Sequence, residues 1–293
     1  MLFRSTLALG IGCERGTSLD ELNALVRDTL AKANLARSSI AGIYSLDLKA
    51  DEPALSALAE QLDRPLRYFT AAELEELTPR LANPSDIVYR EVGCHGVSEA
   101  AALAAAGQTA TLAVAKHKSR RATVAVAMAE RPFAADAVGR ARGALRVVGL
   151  GPGHRDLRVP LAEQAIASAT HVVGYHLYLD LAKSALHPEQ HIHGYALGEE
   201  TERVRAAIAL AAEGNDVALV CSGDAGIYAM ASLVYEQLAG AADPAWRRIG
   251  VEVIPGVSAM QSAAALAGAP IGHDFTAISL SDLMTPWEDR KST

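Results

Sequence analysis

Apolar and polar positions change period several times along the chain, and each change marks an element. Residues 6–12 read as a strand running into a glycine turn. Thr17 and Ser18 before Asp20 and Glu21 predict a helix start with an acidic first turn. Leu22, Leu25, Val26 and Leu30 hold helical spacing to about Ala33. Residues 40–46 read as a second strand. Pro53 opens a helix with Leu55, Leu58 and Leu62 on one face, and residues 65–69 form a short strand. Thr70 caps a helix over 71–76, and an alanine-rich helix spans 97–106, ended by Gly107. Residues 111–115 and 123–128 predict a hairpin across the basic turn 116–121. Periodicity then lapses around Pro132, Gly139 and Gly143. That lapse places one domain at 1–130, a linker at 131–144 and a second domain at 145–293.

The second domain repeats strand and helix more regularly. Strands are expected at 145–150, 170–174, 217–221, 251–254 and 275–280. Helices are expected at 159–168, near 177–184, at 199–213 and 227–239, and from Ser258 to Ala267. The run 217–221 is apolar throughout, as a parallel strand covered on both faces should be. The fold class is therefore α/β, with two α/β domains.

Half of the 293 residues are hydrophobic and 21% are charged, so a large core is possible. The net charge is −7 and it sits in the second half: residues 1–140 carry 16 basic against 17 acidic residues. This argues against nucleic acid or an anionic membrane as partner, while leaving room for a local basic cluster. Cys13, Cys94 and Cys221 lie far apart with no C-x-x-C pair. Neither a disulfide framework nor a zinc site is indicated, and Cys94-His95 reads as a loop. No run reaches the ~18 apolar residues of a membrane span, and the apolar stretch near the start is too short for a leader. A cytoplasmic protein is expected.

Candidate chemistry lies in loops that follow strands. Gly149-Leu150-Gly151-Pro152-Gly153 follows the first strand of the second domain. It is not a dinucleotide fingerprint, because the sixth position is His154 and Pro152 has no N–H for a pyrophosphate. Two more loops, 222–228 and 255–259, stand in the same strand–loop–helix setting, and a parallel sheet would project all three from one edge. Either they form a ligand crevice or each is a tight turn. In the first domain the loops 10–17 and 47–51 and the basic turn are candidate site elements or solvated turns. A basic turn of this kind could meet a polycarboxylate.

These motifs carry a resemblance. Val148–Gly153, Val173-Gly174-Tyr175, Ser222-Gly223-Asp224 with Gly226-Ile227-Tyr228, Pro255–Ala259, His273-Asp274-Phe275 and Ser279–Leu283 resemble the tetrapyrrole methylases, within them most of all the precorrin-3B C-17-methyltransferases. The likeness runs from about Ala144 to Trp287. Gly10–Thr17, Asp47–Pro53 and Val97–Ala100 make the first domain similar to CobE and the C-terminal part of CbiG. The resemblance implies S-adenosylmethionine as cofactor, contacted at Pro152, Ser222, Gly223, Asp224, Ile227, Ser258 and Ala259. It also implies methylation and ring contraction of precorrin-3B on the route to cobalamin, with that tetrapyrrole as small-molecule partner. Asp224 is a cofactor residue or a helix N-cap, or both. Tyr175, with Tyr178 near it, is the candidate acid–base group or rim packing. His154 replaces an acidic residue common in the family. The family's usual C-terminal domain does not follow Trp287, so self-association or docking of such a domain is expected. Alternatives are a non-catalytic module that holds a tetrapyrrole and another methylase of the same pathway.

Overall fold

The computed structural model describes residues 5–276. The chain forms two compact units, one made mainly of residues up to Gly143 and one mainly of residues from Ala144 on.

The first unit carries a five-stranded sheet in the order β3-β2-β1-β5-β4. Its strands are β1 (Leu7–Cys13), β2 (Ile40–Leu46), β3 (Leu66–Phe69), β4 (Thr111–Lys118) and β5 (Ala122–Met128). β1, β2 and β3 run parallel, and β5 lies antiparallel to β1 and β4. Period-2 alternation assigns the faces of β1. Leu7, Leu9 and Ile11 pack with Leu22, Leu25 and Val26 of α1 (Leu19–Lys32) and Leu55 and Leu58 of α2 (Pro53–Leu62). The other face bears Ala8 and Gly10 and receives α5 (Ser98–Ala106) through Ala100, Ala101 and Ala105. A Cβ on Gly10 would lie 1.9 Å from the Ser98 carbonyl, so the helix sits directly on the strand. An alanine-rich helix opposite small strand residues is the sequence form of that close approach. α3 (Ala71–Glu75) starts at the expected Thr70 cap, which with Glu73 forms a capping box. α4 (Asp86–Val92) was not expected from the sequence. Residues 131–143 place Phe133, Ala135 and Val138 in the first unit's packing.

The second unit's sheet has the order β10-β6-β9-β7-β8. The strands are β6 (Ala144–Gly149), β7 (His171–Tyr175), β8 (His191–Tyr195), β9 (Asp216–Cys221) and β10 (Gly250–Ile254). β6–β9, β9–β7 and β7–β8 are parallel pairs. Val148, Leu150, Val172, Ala218 and Val220 form a core with α6 (Pro160–Ser168) and α7 (His176–Ala182). Alternate positions Val147, Val217 and Leu219 are equally buried, as are Val204, Ala207 and Ile208 on α8 (Glu200–Ala212) and Val234 on α9 (Met230–Ala239). The helix expected from residue 227 begins only at Met230. Tyr228 adopts a left-handed φ of 49°, which a helix cannot continue through. α10 (Ala259–Leu266) is the last helix among the described residues. Residues 273–276 carry no regular structure, and the rest of the expected strand 275–280, like Ser279–Leu283 and Trp287, lies outside the described residues.

Candidate functional site

Parallel pairing puts the carboxyl ends of β6, β7, β8 and β9 at one edge of the second sheet. The loops after β6 and β9 are knit there by backbone alone. Gly151 N–H donates to the Gly223 carbonyl at 3.1 Å, and Gly223 N–H donates back to Gly151 at 2.8 Å. The loop after β10 closes on the same spot. A Cβ on Gly149 would stand 2.7 Å from Gly223 O and 2.9 Å from Gly256 N, and one on Gly256 only 2.3 Å from Gly223 O. These positions admit glycine because backbone already occupies the space a side chain would need.

Asp224 ties the second and third loops together. Its Oδ1 accepts from Gly226 N–H at 2.8 Å and its Oδ2 from Gly256 N–H at 3.0 Å. It is not a helix N-cap as one expectation had it: α9 starts six residues later, with Ala229 at the cap. A carboxylate has about four acceptor positions, so two amides leave capacity for a further donor or cation. Ser222 is half-buried beside it, and Gly223 is buried. Ile227 is 44% exposed and Tyr228 76%, so the tip of this loop presents apolar surface to solvent. Pro152 sits in the glycine turn after β6. His154 accepts from the Asp156 amide at 3.3 Å and caps a single 3-10 turn. Ser258 is buried as the N-cap of α10. It accepts from Gln261 N–H at 3.2 Å while Gln261 Oε1 accepts from Ser258 N–H at 3.0 Å, and Ala259 is the exposed first helical residue.

Tyr175 ends β7, and Tyr178 lies one turn into α7. Their rings meet edge-on, centroids 5.2 Å apart at 88°. Burial pushes the Tyr178 phenol above its ordinary range, with Cys221 next among the causes, so it stays protonated at neutral pH. Burial likewise raises the Cys221 thiol to about 11. Arg203 is a residue the sequence reading did not single out. It is buried on α8, its Nη2 reaches Met230 Sδ at 3.4 Å and Glu200 Oε1 at 3.6 Å, and its charge is felt by Tyr178 and Cys221. Its Nε and Nη1 have no partner. The signal was available: position 203 falls in register with the apolar face Val204, Ala207, Ile208 and Ala211.

In the first unit, parts of all three loops singled out in the sequence line one cavity of about 480 Å³. The basic turn is shorter than expected, because β4 continues through Lys116, His117 and Lys118. Cys94 is buried. His95 Nδ1 meets Glu75 Oε1 at 2.8 Å, its Nε2 lies 3.4 Å from Asp86, and its ring stacks on Tyr89. Among the described residues no cluster of three His, Cys, Asp or Glu side chains could hold a metal ion. No helix among them is long and apolar enough to cross a membrane.

Comparison with known proteins divides the chain the same way. Residues 7–127 match the family described as cobalamin synthesis G C-terminus, and residues 144–293 match the tetrapyrrole (corrin/porphyrin) methylases. The first part is 47% identical over 121 residues to protein CobE of a Sinorhizobium species, covering 41% of this chain and 79% of that protein. The second is 46% identical over 145 residues to a probable cobalt-factor III C(17)-methyltransferase of Salmonella typhimurium, covering 49% of this chain and 57% of the relative. It is 43% identical over 147 residues to the precorrin-3B C(17)-methyltransferase of a Sinorhizobium species, covering 50% of this chain and 56% of the relative. The chain thus spans little more than half the length of these two methyltransferases, and 27% of a cobalt-factor III methyltransferase of Priestia megaterium.

Proposed function

This chain belongs to the tetrapyrrole (corrin/porphyrin) methylases, and from that premise we propose that its second unit takes part in S-adenosylmethionine-dependent methylation at C-17 of a corrin precursor, precorrin-3B or its cobalt form, with ring contraction. The observation that carries the reading is the knot of three loops around Asp224 at the carboxyl edge of the sheet. S-adenosylmethionine supplies a methyl group on a sulfonium cation. The residues present suit such a ligand better than a phosphate. Pro152 offers no N–H, the Gly151 and Gly223 amides are spent on each other, and Asp224 adds negative charge with unused acceptor positions. Pro152, Ser222, Gly223, Asp224, Ile227, Ser258 and Ala259 would hold it. Ile227 would contribute apolar surface, and the fixed loops would orient the group. In-line displacement from a cationic donor needs alignment more than proton transfer. Ring contraction does need a proton taken from a hydroxyl. Tyr175 is the candidate for that step, with Tyr178 beside it, its ring packed edge-on against that of Tyr175.

The partner reading, self-association or docking of a further α/β domain, rests on α10. None of its residues is buried, and Leu266 is 90% exposed.

The reading is tested by binding of labelled S-adenosylmethionine to the 293-residue chain and to Asp224→Asn. The variant keeps size and one acceptor and loses the charge, so binding should weaken by about 1–3 kcal/mol. Equal binding by both, with unfolding curves that coincide, would remove Asp224 from the site. In enzyme that turns over precorrin-3B, Tyr175→Phe should slow contraction roughly 100-fold; unchanged turnover returns Tyr175 to packing.

A further inference from the structure

Arg158 is buried without belonging to the three-loop knot. The residue is 7% exposed and its side chain 2%. It follows the single 3-10 turn Arg155–Leu157, and its N–H donates to the Arg155 carbonyl at 2.9 Å. That turn leans on the knot. A Cβ on Gly151 would stand 2.7 Å from Leu157 O and 3.6 Å from Arg158 N. Gly151 is the residue that exchanges backbone hydrogen bonds with Gly223. The main chain at 157–158 is therefore packed against the loop that ties the end of β6 to the end of β9.

The side chain reaches the end of α7. Nη2 donates to the Leu181 carbonyl, and Nη1 lies 3.4 Å from Ser184 Oγ, in the 3-10 turn that follows the helix. A cation at a helix C-terminus meets carbonyls that have no partner within the helix, and the negative end of the dipole. α7 needs such a clamp. It is seven residues long, its N-cap Tyr175 supplies no side-chain hydrogen bond, and only Leu179 and Ala182 are buried. A helix this short is not stable through its own hydrogen bonds and takes its position from its surroundings. It carries Tyr178 and begins at Tyr175.

The guanidinium sits where it does little for stability. One carboxylate among the described residues comes within ion-pair distance: Glu163 Oε1 is 3.8 Å from Nη1, and Arg155 Nε holds the same oxygen at 3.1 Å. The Nε of Arg158 is buried with no hydrogen-bond partner. A buried cation with a distant, shared carboxylate and an unmet N–H is costly, and an apolar side chain of similar volume often serves a core better. What the arginine adds is a rigid fork of donors, which can join two elements where an apolar side chain could only fill space.

We propose that Arg158 is a positioning residue, a strut that fixes α7, and with it the Tyr175–Tyr178 pair, against the Gly151 loop. Ordering of that loop by a bound methyl donor would pass through Arg158 to the two tyrosines. This coupling rests on the proposed methylase reading, whereas the strut itself stands on the contacts at Gly151, Leu181 and Ser184.

Hydrogen exchange read by mass spectrometry on the 293-residue chain tests both. Arg158→Met removes the hydrogen bonds at similar length, and Arg158→Lys keeps the charge and a donor. Without ligand, amides of 177–186 in the Met variant should exchange roughly 10-fold faster than in the parent, while those of α8 and β9 stay as they were. The Lys variant should recover part of that protection. With S-adenosylmethionine, the parent should gain protection at 151–158 and at 177–186 together, and the Met variant at 151–158 only. In enzyme that turns over precorrin-3B, the Met variant should lower kcat roughly 10-fold at an unchanged KM for the methyl donor. Parent-like exchange at 177–186 in the unliganded Met variant, or an equal rise in α8 and β9, would overturn the strut. An equal gain at 177–186 in parent and Met variant on adding the donor would overturn the coupling. A parent that binds no S-adenosylmethionine would overturn the methylase reading instead, and the unliganded comparison would still decide the strut.

Discussion

The glycine-loop edge of the second unit and the basic cavity of the first are built from different materials. At the glycine edge, backbone meets backbone: Gly149, Gly223 and Gly256 touch, and the one charged side chain in the knot, Asp224, spends an acceptor on each of two loops. In the cavity, side chains do the work. Arg15, Lys49, Lys116, Lys118, Arg120 and Arg121 line it from three segments, with Glu99 accepting the Lys116 amide and Glu21 the Arg121 amide and the Ser119 hydroxyl. A backbone-built site tolerates no added atom, whereas a side-chain-built site tolerates substitutions one at a time and depends on their sum. The first should fail abruptly to small changes of volume, the second gradually to changes of charge.

The sharpest way to break that contrast is Gly256→Ala. The new Cβ would fall 2.3 Å from Gly223 O and 2.8 Å from Gly149 O, both backbone atoms that cannot rotate away. We expect the second unit to lose about 3 kcal/mol in urea unfolding, and S-adenosylmethionine binding to be lost with the loop junction. Alanine accepted at this position with unchanged binding and stability would show that the loops are looser than their contacts imply.

A smaller effect is expected from Glu99→Gln in the first unit. The carboxylate accepts from Ala82 N, Asn83 N, Asn83 Nδ2 and Lys116 N at 2.7–2.9 Å. Burial raises its pKa, but the Asn83 side chain and these amides outweigh burial and hold it below the ordinary glutamate value. A lowered pKa gives stability that is present above the ordinary glutamate range and is lost as pH falls through the folded value. Gln retains one acceptor, so the loss should be about 1–3 kcal/mol at neutral pH. The variant should also show a flatter acid limb. An acid limb identical to the parent's would mean that the network does not depend on the charge.

The same difference of materials decides what could be read from sequence. The glycine loops announce themselves because a backbone-built turn needs its glycines close together in the chain. Gly149, Gly151 and Gly153 follow an apolar strand, and Asp224 sits between Gly223 and Gly226. The cavity gathers residues from 12 to 123, each of which looks like an ordinary solvated turn until the fold brings them together. Elements without an apolar signature were missed for a related reason. α4 has no buried residue, hence no stripe to detect, and β8 is an edge strand whose His-Ile-His-Gly-Tyr lies largely open to solvent. Tyr228 was read as helical because propensity says nothing of the left-handed φ imposed where the loop turns. Arg203 was passed over as one polar residue on a helix with charges at its start, although its spacing matched the buried face.

The gentlest probe of the contrast is acid. β7 and β8 stack three imidazoles: His171 against His191 with centroids 4.9 Å apart and against His193 at 5.2 Å, with His171 Nδ1 at 2.9 Å from His193 Nε2. Burial first, and His191 second, lower the pKa of His193 from the ordinary 6.5. The fold therefore favours its neutral form, and the unfolded chain binds the proton more readily. Stability is intact above the ordinary histidine value and falls as pH drops below it toward the folded value. Glu99 in the first unit yields only at lower pH, in the carboxylate range. Acidification from about pH 7.5 to about pH 5.5 should thus reduce hydrogen-exchange protection of β7 and β8 amides while β1 and β5 hold theirs. His193→Asn should remove most of that decline. Equal loss of protection in both units over this range, or a decline that persists in the variant, would show that the imidazole stack does not set the acid sensitivity of the second sheet.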